Sequence, residues 1–281
     1  MPISTNSKRV ALITGASSGI GRAAAKALNL RGWIVYGAAR RQERLQELRS
    51  LGLKTLTLDV TDPSSVSTCV GSLIESEGQI DLLVNCAGYG SYGAFEDVPL
   101  EEGRRQFEVN LFGLAAMSKE VLPFMRQNNS GRIINISSMG GQIYTTMGSW
   151  YYASKRAVEG LTDAMRNEVN QYGIKVILIE PGMINSEWSN IAVESMERYS
   201  AQGPYAKLSS YMRQILDIGY NPKMAGTPEY IADLIVQAAE SKYPKLRYAG
   251  PWDAKFLLFW KKYLPDRVFD IIVKLLCCRC L

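Results

Sequence analysis

Residues 10–21 read VALITGASSGIG, and this stretch decides the fold. Its first five residues are an apolar run of strand length, and the turn that follows contains Gly15, Gly19 and Gly21. Apolar residues then recur at helical spacing up to Gly32. A glycine-rich turn between a strand and a helix lets the backbone approach a phosphate at the positive end of the helix, although a tight turn without a ligand has the same pattern.

Apolar runs and amphipathic segments alternate along the rest of the chain. Further strands are predicted close to residues 34–38, 55–58, 82–84, 132–136, 176–179 and 247–249, with helices between them. Continuous apolar strands separated by helices are typical of a parallel sheet that is covered on both faces. The sequence therefore predicts an α/β fold with a doubly wound parallel sheet (Rossmann-like), as a single domain over residues 1–250.

Two segments interrupt this alternation. Residues 186–222 are rich in tyrosine and methionine and follow a strand end, so we expect an inserted lid over an apolar substrate pocket; ordinary packing of a lid against the sheet explains the same composition. Residues 251–281 form an apolar C-terminal tail with six basic and three acidic residues. This tail fits helices at a membrane surface, a flap over the pocket or a contact with a second subunit. Its cysteines, Cys277, Cys278 and Cys280, could be acylated beside such a helix.

The composition excludes several classes of protein. The chain contains no histidine, which excludes a Ser-His-Asp hydrolase, a histidine metal site and a histidine general base. The net charge of +5 suits an anionic cofactor or a membrane surface and does not indicate nucleic acid as a partner. Five cysteines without disulfide or zinc spacing, no visible secretory leader and no apolar run of about 18 residues predict a cytoplasmic protein, for which a peripheral membrane contact through the tail stays one of the alternatives above.

Further motifs follow the glycine-rich turn in a fixed order. They are Asn85-Cys86-Ala87-Gly88, Asn110 in a predicted long helix, Ser137-Ser138, Tyr151-x-x-x-Lys155 and Pro181-Gly182. With the turn itself, this order resembles the short-chain dehydrogenase/reductase family over about residues 8–250. The resemblance implies an oxidoreductase that transfers a hydride between a nicotinamide cofactor and a carbonyl or alcohol carbon. The nearest branch, with hydroxysteroid, retinol and acyl-dihydroxyacetone-phosphate reductases, implies a small hydrophobic substrate of steroid, retinoid or lipid type.

Tyr151 and Lys155 are the predicted catalytic pair. Residues four apart share one face of a helix, and a nearby ammonium favours ionisation of a phenol, whose pKa is otherwise about 10. The resemblance implies that Tyr151 is the acid/base and that Lys155 also binds the nicotinamide ribose. It further implies that Ser138 binds the substrate oxygen and that Asn110 holds a water in a proton relay.

Neighbouring residues are alternatives for some of these roles. Tyr152 could replace Tyr151, although it is only three residues from Lys155, and Ser137 could replace Ser138. The side chain of Asn110 could instead be a structural amide that caps or bridges helices. Cys86 stands where the family has a second asparagine, and we expect a tolerated change, with a reactive thiol as the alternative.

The end of the second strand predicts the cofactor. NAD-preferring members of the family carry an acidic residue there, whereas this chain has Ala39 followed by Arg40 and Arg41. A guanidinium matches a phosphate monoester, so we predict NADP(H), with the start of a solvated helix as the alternative role for these arginines. Asp59 and Val60 resemble the pair that contacts adenine, and Asp59 is also expected to cap a helix. The predicted cofactor contacts are Gly15, Ser17, Ser18, Gly19, Ile20, Gly21, Arg40, Asp59, Val60, Asn85, Ala87, Gly88, Tyr151, Lys155, Pro181, Gly182 and Ile184.

Other functions and partners follow from the same residues. We expect a small-molecule substrate, no metal and assembly as a homo-oligomer. A catalytically silent NADP(H)-binding sensor or scaffold is one alternative, but it would be expected to lack Tyr151, Lys155 or Ser138, and all three are present. A lyase or epimerase on the same fold is the other, because a fold alone does not fix the reaction.

Overall fold

A computed structural model of the chain describes residues 9–277. Its centre is a seven-stranded sheet in the order β3-β2-β1-β4-β5-β6-β7, in which every neighbouring pair is parallel. The strands are β1 (Val10–Thr14), β2 (Ile34–Ala39), β3 (Lys54–Thr57), β4 (Leu82–Asn85), β5 (Gly131–Ile136), β6 (Ile174–Pro181) and β7 (Arg247–Gly250). The order in which the chain adds strands to the sheet reverses between β1 and β4. Ligands bind at such a point in open parallel sheets. The predicted fold is confirmed.

Helices cover both faces of the sheet. They are α1 (Gly19–Leu30), α2 (Gln46–Ser50), α3 (Pro63–Glu77), α4 (Leu100–Phe107), α5 (Gly113–Gln127), α6 (Ser149–Val169), α7 (Glu187–Ser200), α8 (Ala206–Gly219), α9 (Pro228–Glu240), α10 (Trp252–Tyr263) and α11 (Asp266–Cys277). Alternate residues of β1 point to opposite faces, so Ala11 and Ile13 pack with α1 and α9, and Val10 and Leu12 pack with α3, α5 and α6.

The predicted long helix around Asn110 is confirmed, because α4, a π-helical turn over Glu108–Phe112 and α5 follow one another without a break, and Asn110 lies in that turn. One local prediction was wrong. Asp59 was expected to cap a helix, but its carboxylate accepts hydrogen bonds from the backbone and hydroxyl of Thr61, at 3.0 and 2.8 Å. The cap of α3 is Asp62, which accepts from the backbone N of Ser64 at 3.0 Å.

The segment 186–222 and the C-terminal tail are helical and pack against the same end of the molecule. The lid consists of α7 and α8, and the tail consists of α10 and α11 within the described residues. Asp253 of α10 accepts a hydrogen bond from the backbone N of Met183 at 2.8 Å. Phe269 and Val273 of α11 are buried in one cluster with Met212 and Leu216 of α8. The first turns of the tail are thus tied to the body rather than extended from it.

The proposed acylation sites at the end of the tail are not part of this description. Cys278 and Cys280 lie outside the described residues, and so does the side chain of Cys277. Among residues 9–277, no helix combines the length and the apolar character needed to cross a bilayer.

Candidate active site

A cleft of about 530 Å³ lies at the carboxyl ends of the strands, at the reversal point between β1 and β4. Two predicted site residues, Asn85 and Asn110, are buried and do not line it. The cleft is lined by all of the others, which are Gly15, Ser17, Ser18, Gly19, Ile20, Gly21, Arg40, Asp59, Val60, Ala87, Gly88, Ser138, Tyr151, Lys155, Pro181, Gly182 and Ile184. Their roles as ligands of a cofactor or substrate stay predictions.

The first turn of α1 has the features of a phosphate-binding site. Ser18 is the N-cap residue of α1, but its side chain makes no capping hydrogen bond to the helix. The first backbone N–H groups of α1 therefore remain available to an anion at the positive end of the helix dipole. Gly15 has φ +68°, and a Cβ there would lie 2.9 Å from the backbone N of Ala87, so only glycine fits without displacing the neighbouring strand end. This end of the cleft fits the pyrophosphate of a dinucleotide.

Tyr151 lies near the start of α6, and only 7% of its surface is exposed. Burial raises the pKa of Tyr151, and the hydrogen bond with the side chain of Ser138 lowers it. The Ser138 hydroxyl oxygen accepts from the backbone N of Gly140 at 3.0 Å, which orients this side chain. A phenol and an oriented hydroxyl therefore face the same small volume of the cleft.

Lys155 lies one helical turn after Tyr151 and is also buried. Its ammonium donates a hydrogen bond to the backbone oxygen of Ile136, at the end of β5, at 2.9 Å. Burial lowers the pKa of Lys155 to about 8. The lysine is thus held against the sheet in an environment that makes its proton easier to remove than usual.

Asn110 joins three segments behind the cleft. Its side-chain oxygen accepts from the backbone N of Tyr89 at 3.1 Å, and its amide nitrogen donates to the Tyr89 oxygen and to Ser154 Oγ, at 3.0 and 3.1 Å. The π-helical turn brings this amide next to the loop after β4 and next to α6. The side chain therefore acts as the bridging amide that was the structural alternative, while its role in a proton relay stays a prediction.

Asn85 belongs to a buried polar network beneath the cleft. Its amide nitrogen donates to Ser118 Oγ at 3.0 Å and to the side-chain oxygen of Asn135 at 2.9 Å. Asn135 in turn donates to Thr162 Oγ1 at 2.9 Å. The network ties β4 and β5 to α5 and α6, so the side chain of Asn85 fixes the position of the cleft's walls.

Cys86 does not have the properties of a reactive thiol. Burial raises its pKa to about 12, so the thiolate is disfavoured at neutral pH. Its backbone N and that of Ala87 both donate to Thr14 Oγ1 at 3.0 Å. This double contact of Thr14, which the sequence analysis did not single out, joins β1 and β4 at the cleft.

The alternatives to the predicted catalytic residues have other neighbours. The hydroxyl of Tyr152 lies 3.0 Å from that of Tyr92 and 2.6 Å from Thr145 Oγ1. Ser137 Oγ and the side chain of Glu159 lie next to each other, and both face the Cα of Gly141. The geometry therefore favours Tyr151 and Ser138 as the pair that faces a reacting group.

Aromatic side chains enclose Tyr151. Trp188 in the first turn of α7 lies 5.0 Å from it between ring centroids, and Tyr92 lies 6.0 Å from it. Tyr220, which follows α8, packs on Trp188 at 5.5 Å. Neither Trp188 nor Tyr92 was named as a site residue in the sequence analysis, because their spacing in the chain carries no motif.

Comparisons with known proteins agree with this site. The model of the short chain dehydrogenase family matches residues 9–197. The chain is 35% identical to the 3-ketodihydrosphingosine reductase of Bacteroides thetaiotaomicron, over 95% of this chain and 97% of that protein. A short-chain dehydrogenase structure from Streptomyces avermitilis is 34% identical, with a TM-score of 0.81 and coverage of 96% and 97%. A serine dehydrogenase complexed with NADP+ is 27% identical, with a TM-score of 0.75 and coverage of 86% and 94%.

This chain belongs to the short-chain dehydrogenase family and is an oxidoreductase of that family. Members of the family use NAD(H) or NADP(H) and act on small molecules.

We expect the substitution Lys155→Met to stabilise the cofactor-free protein at pH 7. The folded-state pKa of Lys155, about 8, lies below its ordinary value of 10.5, so the unfolded chain binds the proton more tightly. The free-energy cost of burying the ammonium is therefore fully present below about pH 8 and disappears as the pH rises towards about 10.5. Urea unfolding should show a gain of about 3 kcal/mol at pH 7 and a smaller one near pH 9.5.

Lys119→Met, at an exposed lysine of α5, is the control for this experiment. Its effect on the free energy of unfolding should be small at both pH values. If Lys155→Met destabilised the protein at pH 7, or changed the free energy of unfolding no more than Lys119→Met does, the lowered pKa of Lys155 would be contradicted.

Proposed function

We propose that the protein is an NADP(H)-dependent oxidoreductase that interconverts a hydrophobic ketone or aldehyde and the corresponding alcohol. The observation that carries this proposal is the meeting of Tyr151, Ser138 and Lys155 in one cleft with the uncapped start of α1. One part of this cleft has a phosphate-binding turn and the other has a buried acid/base. This arrangement suits a dinucleotide and a carbonyl substrate that lie end to end.

The residues of the cleft provide the proton chemistry of the reaction. A bound nicotinamide supplies the hydride in the reductive direction and accepts it in the oxidative direction. In reduction the Tyr151 hydroxyl donates its proton to the carbonyl oxygen, while the Ser138 hydroxyl donates a hydrogen bond to the same oxygen. The Lys155 ammonium stabilises the phenolate that Tyr151 becomes, and in oxidation the same phenolate takes the alcohol proton.

The preference for NADP(H) is supported by the charge at the end of β2. Ala39 ends this strand and provides no carboxylate to repel a 2′-phosphate, and both Arg40 and Arg41 line the cleft. The guanidinium of Arg41 also lies 3.5 Å from Ser17 Oγ in the glycine-rich turn. The related serine dehydrogenase structure with bound NADP+ agrees with this choice.

A hydrophobic substrate is supported by the lining beyond Tyr151. Met139, Ile143, Trp188, Ile191 and Tyr220 all line this part of the cleft. The relative from Bacteroides thetaiotaomicron is named for a ketone of the sphingoid type, which makes a lipid ketone the first candidate. Steroid ketones and retinal are the other substrates to test.

A homo-oligomeric state is part of the same proposal and awaits a measurement of molar mass.

We expect Tyr151→Phe to abolish turnover while NADPH binding survives. Loss of the proton donor should lower kcat by about a hundredfold to ten-thousandfold. The assay follows NADPH oxidation with 3-ketodihydrosphingosine, a steroid ketone or retinal, and calorimetry measures the Kd of NADPH.

Tyr152→Phe is the matched control, because it removes a neighbouring hydroxyl that is bonded to Tyr92 and Thr145. Its kcat should fall by no more than about tenfold. Unchanged turnover in Tyr151→Phe, or an equal loss in both variants, would contradict the assignment of the acid/base. No reduction of any of these three carbonyl compounds would contradict the hydrophobic substrate class.

We also propose that the tail contacts an anionic membrane surface. Five aromatic residues of α10 are between 44% and 67% exposed, and they are Trp252, Phe256, Phe259, Trp260 and Tyr263. Such a large exposed apolar face on a helix with basic residues is typical of helices that lie in the lipid headgroup region.

The charges of the tail support a partner that is negative. Each described acidic residue of the tail is already bonded within the protein: Asp253 to Met183 N, Asp266 to Lys261 and Asp270 to Tyr144. The cations Lys255, Lys262, Arg267 and Lys274 are exposed. The cations of the tail outnumber its carboxylates, and a net positive charge beside an aromatic face favours anionic lipid over a neutral surface.

We expect the full chain to float with vesicles of phosphatidylcholine and phosphatidylglycerol, and to float less with phosphatidylcholine alone. The double substitution Phe256→Ser and Phe259→Ser should reduce binding strongly, because it removes apolar area from the contact face. A matched double substitution, Leu30→Ser and Tyr243→Ser, changes two residues that are even more exposed but lie elsewhere. Equal flotation of the two double variants would exclude α10 as the contact.

A further inference from the structure

An ion pair joins the lid to the arginines at the cofactor end of the cleft. Glu187 is the first residue of α7, and Arg44 Nη1 donates to both of its carboxylate oxygens at 2.8 and 2.7 Å. Arg41 Nη2 lies 3.9 Å from the same carboxylate. The lid therefore begins with an acidic group that is held by the basic segment following β2.

This carboxylate lies beside the arginines that we propose as ligands of the 2′-phosphate. Arg40, Arg41 and Glu187 all line the same cleft as the glycine-rich turn. A carboxylate and a 2′-phosphate at one arginine would repel each other, so binding of the phosphate weakens the hold on Glu187. Exposed ion pairs contribute little to stability, and the pair of Glu187 and Arg44 is about half exposed on both sides. A phosphate dianion that makes charge-assisted hydrogen bonds nearby can therefore break the ion pair of Glu187 with Arg44.

Movement of Glu187 would also move the aromatic cover of Tyr151. Trp188 is the next residue, and its backbone N donates to the capping Ser186 Oγ at 3.4 Å, so residues 186–188 form one turn. The indole packs against Tyr151 at 5.0 Å and edge-on against Tyr92 at 5.8 Å. A substrate carbonyl that accepts the proton of Tyr151 needs space that this indole restricts.

We propose that Glu187 is a specificity-determining residue that links the cofactor's 2′-phosphate to the position of Trp188. Without the phosphate, Glu187 binds Arg44 and keeps Trp188 over Tyr151. A phosphate bound by Arg40 and Arg41 repels the neighbouring Glu187 carboxylate, weakens its pair with Arg44 and lets Trp188 move away from Tyr151, so NADP(H) opens the substrate pocket and NAD(H) does not. The inference rests on the proposed preference for NADP(H), and it adds the residue through which this preference reaches the substrate site.

The first test compares Glu187→Gln with wild type in calorimetric titrations of NADPH and NADH. The substitution keeps the shape of the side chain and removes the competing charge, so the Kd of NADPH should fall by about fivefold and that of NADH by less than about twofold. Glu229→Gln is the matched control, because Glu229 is an exposed acid in the first turn of α9. It should change neither Kd by more than about twofold.

The second test follows Trp188 directly, with 5-fluorotryptophan incorporated into the full chain and fluorine NMR. The chain has five tryptophans, and the signal of Trp188 is assigned as the one missing from Trp188→Phe. Adenosine 2′,5′-bisphosphate should shift this signal, whereas ADP, which lacks the 2′-phosphate, should leave it in place. In Glu187→Gln the signal should already lie near the shifted position without ligand.

The outcomes separate this inference from the proposal on which it rests. Tighter binding of NADPH than NADH by wild type, together with equal effects of Glu187→Gln on both cofactors, would overturn the role of Glu187 alone. A shift of the Trp188 signal by ADP equal to that by the bisphosphate would overturn the coupling to Trp188. Equal binding of the two cofactors by wild type, unaffected by Arg40→Ala, would overturn the preference for NADP(H) itself.

Discussion

The cleft depends on the contact between the ends of β1 and β4. The Thr14 hydroxyl accepts hydrogen bonds from two successive backbone N–H groups of β4's extension, both at 3.0 Å. Gly15 follows at once and turns away in the left-handed region, where a side chain would meet the backbone of Ala87. The helices after these two strands lie on opposite faces of the sheet, and this leaves a crevice between them that receives a cofactor. The contact of Thr14 holds the two strand ends together at the base of that crevice.

Buried polar side chains then set the walls of the crevice. The network of Asn85, Asn135, Ser118 and Thr162 spans β4, β5, α5 and α6. Its four side chains are all buried, so leaving one of these hydrogen bonds unmade would carry a desolvation penalty. The network therefore fixes α6, which carries Tyr151 and Lys155, relative to β5, which leads into Ser138.

The enclosure of Tyr151 and Lys155 sets their protonation states. Removal from water raises the pKa of Tyr151 and lowers the pKa of Lys155 to about 8, so both groups are held closer to their neutral forms than they would be in solvent. Tyr151 is therefore protonated at neutral pH, as a proton donor to a carbonyl oxygen has to be. Trp188 and Tyr92 maintain the enclosure, and they also limit how a substrate can enter.

The amino-acid sequence by itself determined the doubly wound sheet, the glycine-rich turn and the pairing of Tyr151 with Lys155. These features follow from local spacing: apolar runs of strand length, glycine where the backbone is crowded, and two residues four apart on one helix face. The bounds of β1 needed little more than this, whereas the order of the strands comes from the structure. The family resemblance connected residues that are far apart in the chain, such as Gly15 and Ser138.

Only the tertiary structure decided which residues surround this frame. It replaced Asp59 by Asp62 as the cap of α3, and it put Asn110 in a π-helical turn, where its amide binds the backbone of Tyr89. It also brought Glu187 to Arg44 across 143 residues of chain. Such contacts depend on how distant segments pack, and a pattern of neighbouring residues carries no information about them.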